Sequence, residues 1–403
     1  MSSMRRESSE GSHQSVAERI VLVVLRVATL TSFGGGGGGT GAGWKDRLYV
    51  GVMYTINTIW AGFSTMFLFT SALRLAKLGD SIVHVASSSA FFGLQLALLW
   101  LALTWNCAGG RRRYGELLER VRYLLHRVSL LPEFEGAALK LRRCMNRLLG
   151  AVCGLAVFTC ARSFYSALLD DMCRHSSGFG CSINVSLAAV YWEFSFTVFM
   201  IPLKFVFAGV QILSGFWTIN SSLQPVADGR RAPSRALLRR LAFLHDELSR
   251  AFSQVTSCMA AELITLTAFG TLTQVCVWLL LITGAHRGDL ERLGPVVAMY
   301  LVGAALTLTI PCEMAQRVLN AIGETRDLLL RSRWQRPELA QELSLFRDTV
   351  SRDLDTIGDL GLFRLQRSTT MAISATILTY VIVLVQFYLT EVTASSDCSK
   401  SSG

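Results

Sequence analysis

Charge is scarce in this chain: Asp, Glu, Lys and Arg make up 17% of its 403 residues, against roughly 25% in soluble domains. With 51% hydrophobic residues and a mean hydropathy of +0.41, that scarcity argues against an ordinary soluble domain and for an integral membrane protein. Catalytic signatures are missing too. There is no His-Glu-x-x-His, no cysteine pairing at zinc spacing and no Gly-x-Ser-x-Gly. No enzymatic activity, metal or cofactor is therefore expected. The six histidines are scattered, and His84, the one well inside an apolar run, reads as a hydrogen-bonded bundle residue. A cleavable signal peptide is also not apparent. The apolar stretch from Ile20 to Phe33 is short, contains Arg26 and lacks a small-residue cleavage site. It reads better as a helix lying on the membrane surface.

What is present is a series of long apolar runs. Seven spans are expected, at 48–70, 82–105, 148–169, 185–213, 259–284, 294–313 and 371–391, each near the roughly 20 residues a crossing helix needs. The net charge of +10 is not a nucleic-acid patch, because the basic residues sit between the runs. Segments 1–47, 106–147, 214–257 and 314–370 carry 31 of the 39 Lys and Arg, whereas the alternate segments carry six. Arg162 and Lys204 lie inside spans. Positive residues stay cytoplasmic, so the N-terminus is expected inside and the C-terminus outside. G-protein-coupled receptors have the reverse orientation. The chain also lacks their Asp-Arg-Tyr at the third span and Asn-Pro-x-x-Tyr in the seventh.

Residues 1–15 are polar and Ser-rich, and read as disordered. The run Gly34 to Gly39 is costly to order and reads as a flexible joint, not a phosphate loop, since no Gly-Lys-Ser/Thr follows. The inner segments are long and helical in pattern. Tyr114, Leu117, Leu118, Val121, Leu124, Leu125 and Val128 recur at three and four. Residues 235–257 and 338–366 behave similarly, so the membrane helices are expected to continue into the cytoplasm.

The last apolar run, MAISATILTYVIVLVQFYLT at 371–390, contains Thr379-Tyr380, five aliphatic residues, then Gln386-Phe387. A side-chain amide there is costly unless it meets a polar partner or water. This pattern, with Gly361-Leu362-Phe363 before it, resembles the C-terminal signature of insect and other arthropod gustatory receptors. The resemblance implies an all-α protein with seven transmembrane helices, in the plasma membrane, acting as a ligand-gated non-selective cation channel. It implies cytoplasmic helical extensions forming an anchor domain that joins four subunits, as a homotetramer or as a heterotetramer with related receptors. The corresponding organisation is a cytoplasmic segment 1–47, a ligand-binding bundle 48–313, anchor helices 314–370, a pore helix 371–391 and an outer tail 392–403.

The resemblance also places Gln386 and Phe387 at the narrow part of the pore. Val383, one turn earlier on nearly the same face, could extend the constriction, with Thr379 and Tyr380 as support. From composition alone, Gln386 reads slightly better as an amide bonded to a neighbouring helix. Partners implied are a small-molecule tastant and membrane lipids, not nucleic acid. The ligand pocket would open outward among the second to sixth helices. Candidates in their outer halves are Tyr165, Tyr191, Trp192, Glu193, Gln274, Trp278 and Tyr300. Each also suits packing or an aromatic belt. Arg162 and Glu193 lie at similar depth in adjacent spans and form a candidate intramembrane pair, structural or ligand-contacting. Lys204 is expected to snorkel toward the cytoplasm, and Glu262 to sit at the inner interface. Cys173 and Cys181 share the outer segment 170–184 and are a candidate disulfide. Asn184-Val-Ser is an outer glycosylation sequon, and Asn220-Ser-Ser an inner, unmodified one. Two other readings stay open: a non-conducting subunit that requires a partner, and a secondary transporter, though no two-fold repeat between halves is seen.

Overall fold

A computed structural model describes residues 15–27, 48–52, 110–169, 178–232, 234–287, 290–331 and 339–401, plus isolated helical positions between 54 and 105. Side chains are described outside 26–27, 162–169, 178–199, 279–280, 282–300, 388–389 and 391–401. Among the described residues all regular structure is helical, with no strand. In chain order the helices are α1 Val16–Val27, α2 Arg111–Ser129, α3 Phe134–Leu169, α4 Gly178–Ala227 and α5 Arg235–Cys258. They continue with α6 Ala260–Arg287, α7 Leu290–Leu330, α8 Ala340–Thr356 and α9 Arg367–Ser401.

Helix length separates these elements from ordinary soluble helices. At a rise of about 1.5 Å per residue, the 50 residues of α4 extend about 75 Å, whereas a hydrocarbon core is only about 30 Å thick. The 41 residues of α7 likewise exceed a bilayer. Among the described residues four helices contain stretches long and apolar enough to cross a membrane: Phe134–Ala161, Met200–Ala227, Ala260–Trp278 and Arg367–Phe387. The expected spans 48–70 and 82–105, the run Gly34 to Gly39 and His84 lie largely or wholly outside the described residues.

The chain forms two compact units. The first comprises 1–54, 103–260 and 314–362, and is organised around α4. Helices α2, α3 and α5 pack on α4, α1 packs on α3, and α8 packs on α5. The expected amphipathic pattern of α2 is realised, with Tyr114, Leu118, Val121, Leu124 and Val128 buried. In α4, Phe205, Phe207, Phe216, Ile212, Ile219 and Leu223 are fully buried. Gly215 permits close approach of α5: a Cβ there would come 2.7 Å from Leu248 Cδ1.

Two expectations are corrected in this unit, those for Lys204 and for the pattern at 338–366. Lys204 does not snorkel. It is 1% exposed, with its ammonium 4.7 Å from the centroid of the Tyr114 ring, while Tyr114 Oη donates 2.7 Å to the Lys204 carbonyl. The ring quadrupole attracts an ammonium over its face, more strongly in a desolvated setting than at an exposed site. Asn220 is buried structurally: Nδ2 donates to the Ala321 carbonyl at 2.9 Å, and Oδ1 accepts from Thr325 Oγ1 at 2.6 Å. The pattern at 338–366 is not one helix. Helix α8 stops at Thr356, where Ile357 turns extended and Gly358 takes φ +83°. The N-terminal helix also packs on the protein. It buries Ala17, Val21, Leu22 and Leu25 against the protein, and Gln211 Nε2 donates 2.9 Å to buried Glu18. Burial raises the Glu18 carboxyl above its ordinary range, with Arg122 and Arg19 opposing.

The second unit comprises 55–102, 261–313 and 363–403. Gly270 lets α6 approach α7, since a Cβ would lie 2.9 Å from Leu308 Cγ and 3.2 Å from the Ala304 carbonyl. Glu262, expected at the inner interface, is fully buried.

The first unit also encloses an imidazole in an apolar setting. His245 is held edge-on between Phe216 and Phe346, with centroids 5.1 and 5.5 Å away. Asp353 Oδ2 is 3.5 Å from its Nδ1, and neither ring nitrogen has a hydrogen-bond partner. Burial pushes the His245 pKa down from 6.5 to about 3, so the ring is neutral at neutral pH. A depressed histidine stabilises the fold above its unfolded pKa, and that stability is lost as pH falls from 6.5 toward 3. Asp353 is raised, first by its own burial, and acts in the opposite sense. The thermal midpoint of the purified protein should therefore drop on acidification through that window. His245→Phe should flatten the drop, and an unaltered pH profile would show that another group controls it.

Candidate functional site

Among the described crossing stretches, that of α9 is the one the chain itself covers least: 11% of it is buried, against 89% of that in α4. Among its described side chains Ile377 is the one buried apolar residue, at 3% exposure. Tyr380, Ile382, Val383 and Phe387 are all exposed, Phe387 by 69%.

Its sequence explains both the helix and its one polar face. Long aliphatic residues with no interior proline or glycine favour an uninterrupted helix. Thr376, Thr379, Val383, Gln386 and Thr390 recur at intervals of three and four, so they share one face, and all five are exposed. The hydroxyls are already satisfied within the helix. Thr376, Thr379 and Thr390 donate to the carbonyls four residues earlier, at 3.0, 3.1 and 2.8 Å. Gln386 differs: its amide has no hydrogen-bond partner among the described residues. Phe387 and Tyr380 flank this face on one side. Sequence reading had selected Thr379, Tyr380, Val383, Gln386 and Phe387, and missed Thr376 and Thr390. The spacing of the polar residues was the available signal.

The entry to α9 is fixed on both sides. Gly361 adopts φ +83° and donates its N–H to Asp359 Oδ1 at 2.8 Å. A Cβ there would meet open space, so glycine is required by the backbone and not by room. At the first turn of α9, the Arg367 guanidinium grips Glu313 of α7 in a bidentate pair, Nε to Oε2 at 2.8 Å and a terminal nitrogen to Oε1 at 3.0 Å. That pair ties the last crossing helix to α7.

The other candidates are less defined. Gln274 is half-buried and Trp278 is 39% exposed, one turn apart on α6. The side chains of Arg162, Tyr165, Tyr191, Trp192, Glu193 and Tyr300 lie outside the described residues, as does Cys173. Helix α4 begins at Gly178, so Cys181 and Asn184 stand on a helix and not in the loop expected for 170–184. Among the described residues no cluster of three or more His, Cys, Asp or Glu could hold a metal.

Helices long and apolar enough to cross a membrane define a membrane-protein class, and the comparisons specify it. The chain matches the 7tm Chemosensory receptor family over residues 18–391 and belongs to that family. Membership makes it a chemosensory receptor and not an enzyme. The structure is similar to that of the insect olfactory receptor OR5 from Machilis hrabei in complex with eugenol. Identity is 14%, the TM-score 0.67, and the match covers 92% of this chain and 97% of that one. The same receptor without that ligand gives a TM-score of 0.63 at the same identity and coverage. At that identity the likeness concerns the fold. A search of curated protein sequences finds no match.

The Arg367–Glu313 pair is open to a double-mutant cycle. Both side chains are partly solvated, at 63% and 36% exposure, so each single Gln variant should lower thermal stability only slightly. The swapped Glu313→Arg/Arg367→Glu protein should regain most of that loss. Strict additivity would show that the pair is not coupled.

Proposed function

We propose that this chain is a gustatory-type receptor acting as a ligand-gated, non-selective cation channel in the plasma membrane. The observation that carries the reading is the stripe Thr376, Thr379, Val383, Gln386 and Thr390 on a helix that its own chain leaves uncovered. Copies of α9 around a shared axis would cover its apolar flanks and turn this stripe inward. Four copies, in a homotetramer or with related receptors, form a ring of Gln386 amides beside Phe387, with Val383 one turn further in. An apolar ring blocks ions by dewetting, and amides assist partly hydrated cations once it opens. Thr379 and Tyr380 support the helix.

The topology proposed with this function has seven spans, an inner N-terminus and an outer C-terminus. It rests on the distribution of Lys and Arg along the sequence. The lengths of α3, α4 and α7 support cytoplasmic extensions that act as an anchor for the assembly. Ligand is held in an outer pocket that draws on Tyr165, Tyr191, Trp192, Glu193, Gln274, Trp278 and Tyr300. Arg162 and Glu193 pair beside it. The related olfactory receptor is seen with eugenol, which favours a small organic ligand here too. Ligand that binds the open state better shifts the population toward conduction. A second reading, a subunit that conducts only with a partner, rests on the same uncovered helix, which a different receptor could also cover.

Whole-cell current from the chain expressed alone, screened with sugar, bitter and phenolic panels, tests the proposal. A ligand-evoked cation current is expected, with permeability ratios altered in Gln386→Ala. Current with unaltered ratios would move the pore lining elsewhere. Silence with a C-terminal tag accessible from outside would favour the partner-dependent subunit.

A further inference from the structure

The outward face of α3 combines two surfaces that do not occur together by packing requirements alone. Arg143, Arg147, Gly150, Gly154, Val157 and Ala161 are spaced at four and three, which places them on one side of the helix. All six are exposed, Val157 by 69%. The opposite side, with Ala137, Met145, Leu148 and Val152, is buried in the first unit. A Cβ added to Gly150 or Gly154 would meet nothing within 4 Å, so no other described element lies over this face. It is basic at one end and apolar along the rest. Arg142, also exposed, stands on its flank.

These three arginines have no acidic partner among the described residues. The one acid in α3, Glu135, lies two turns back and is exposed. Several arginines elsewhere in this unit are engaged: Arg120 with Glu247, Arg231 with Glu133, Arg235 and Arg239 with Glu342. Adjacent like charges within two turns repel and are retained at a cost in isolation. An anion between them removes that cost. Helix α1, which packs on α3, turns Val16, Ile20 and Val23 outward as a second exposed apolar strip, the pattern of a helix at the level of lipid headgroups.

We propose that Arg143 and Arg147, flanked by Arg142, bind the phosphate headgroup of an anionic phospholipid whose acyl chain runs along the exposed face from Gly150 to Ala161. Guanidinium groups match phosphate oxygens in a bidentate fork, which a lysine supplies only as a point charge. The apolar continuation selects a lipid over a soluble phosphate, because only a lipid fills both halves of the face. Assignment to the inner leaflet rests on the topology proposed above; the site itself does not.

The test uses full-length protein reconstituted in mixed phosphatidylcholine and phosphatidylserine vesicles, extracted in mild detergent, with co-purifying lipid measured by mass spectrometry. Phosphatidylserine should be retained severalfold above its input share. Arg143→Gln/Arg147→Gln should return it toward the input share, while Arg143→Lys/Arg147→Lys keeps most of the enrichment and reports on folding. Arg112→Gln, an exposed arginine on α2, should leave retention unchanged. No enrichment in the parent protein, or equal enrichment in the Gln pair, overturns the site. A Gln pair that changes oligomeric state without changing lipid retention assigns the face to a second copy and overturns it too. Retention is read from both leaflets, so an error in the proposed topology, detected by tag accessibility, does not alter this result.

Discussion

A hydrocarbon interior offers no hydrogen-bond partner, and the form of this chain follows from that constraint. Every backbone N–H and C=O within a crossing segment must be satisfied by the segment itself, which leaves uninterrupted helices as the workable solution for these sequences. Side-chain hydroxyls obey the same rule. In α6, Thr267 and Thr271 donate to carbonyls four residues back, as Thr376 and Thr379 do in α9. Such back-bonding slightly disfavours a helix in water. In lipid it lets a polar stripe exist on a helix before any partner arrives.

Beyond the bilayer the constraint relaxes, and ordinary amphipathic packing takes over. Helices α2, α5 and α8 have charged outer faces and narrow apolar inner ones, and ion pairs such as Arg235 and Arg239 with Glu342 connect α5 and α8 at their rims. Helix α4 carries an apolar run long enough to cross a membrane, and its final turns hold Asn220 and Ser222 in hydrogen bonds to Ala321 and Glu133.

The sequence exposed these features unequally. Length, composition and period sufficed for the helical class and for α2 and α5, because exposed arginines alternate with buried Leu and Val and leave a clean period. The end of α8 was hidden within an apparently continuous pattern at 338–366. Only the backbone conformation of Gly358 and Gly361 shows where it breaks. The fates of Lys204 and Asn220 were illegible as well. Whether a lysine snorkels depends on what lies over it, and Tyr114, ninety residues away in the chain, cannot be assigned to it from spacing. In α9 the motif drew attention to five residues, whereas the periodicity extends the same face to Thr376 and Thr390.

Lys204 and Gln386 show how one chain treats two polar groups in apolar helices. The lysine is covered by a tyrosine ring from its own unit. The glutamine is on the least covered apolar helix, with no amide partner among the described residues. Facing lipid, that amide would be expensive. Facing a water-filled passage, or another amide, it would not. The difference is a matter of completeness: the fold of a single chain accounts for Lys204, and it leaves Gln386 to be accounted for by whatever stands against α9. A helix with apolar flanks and a central polar stripe suits neighbours that cover the flanks while leaving the stripe wet, which a ring of like helices does and a lipid annulus does not.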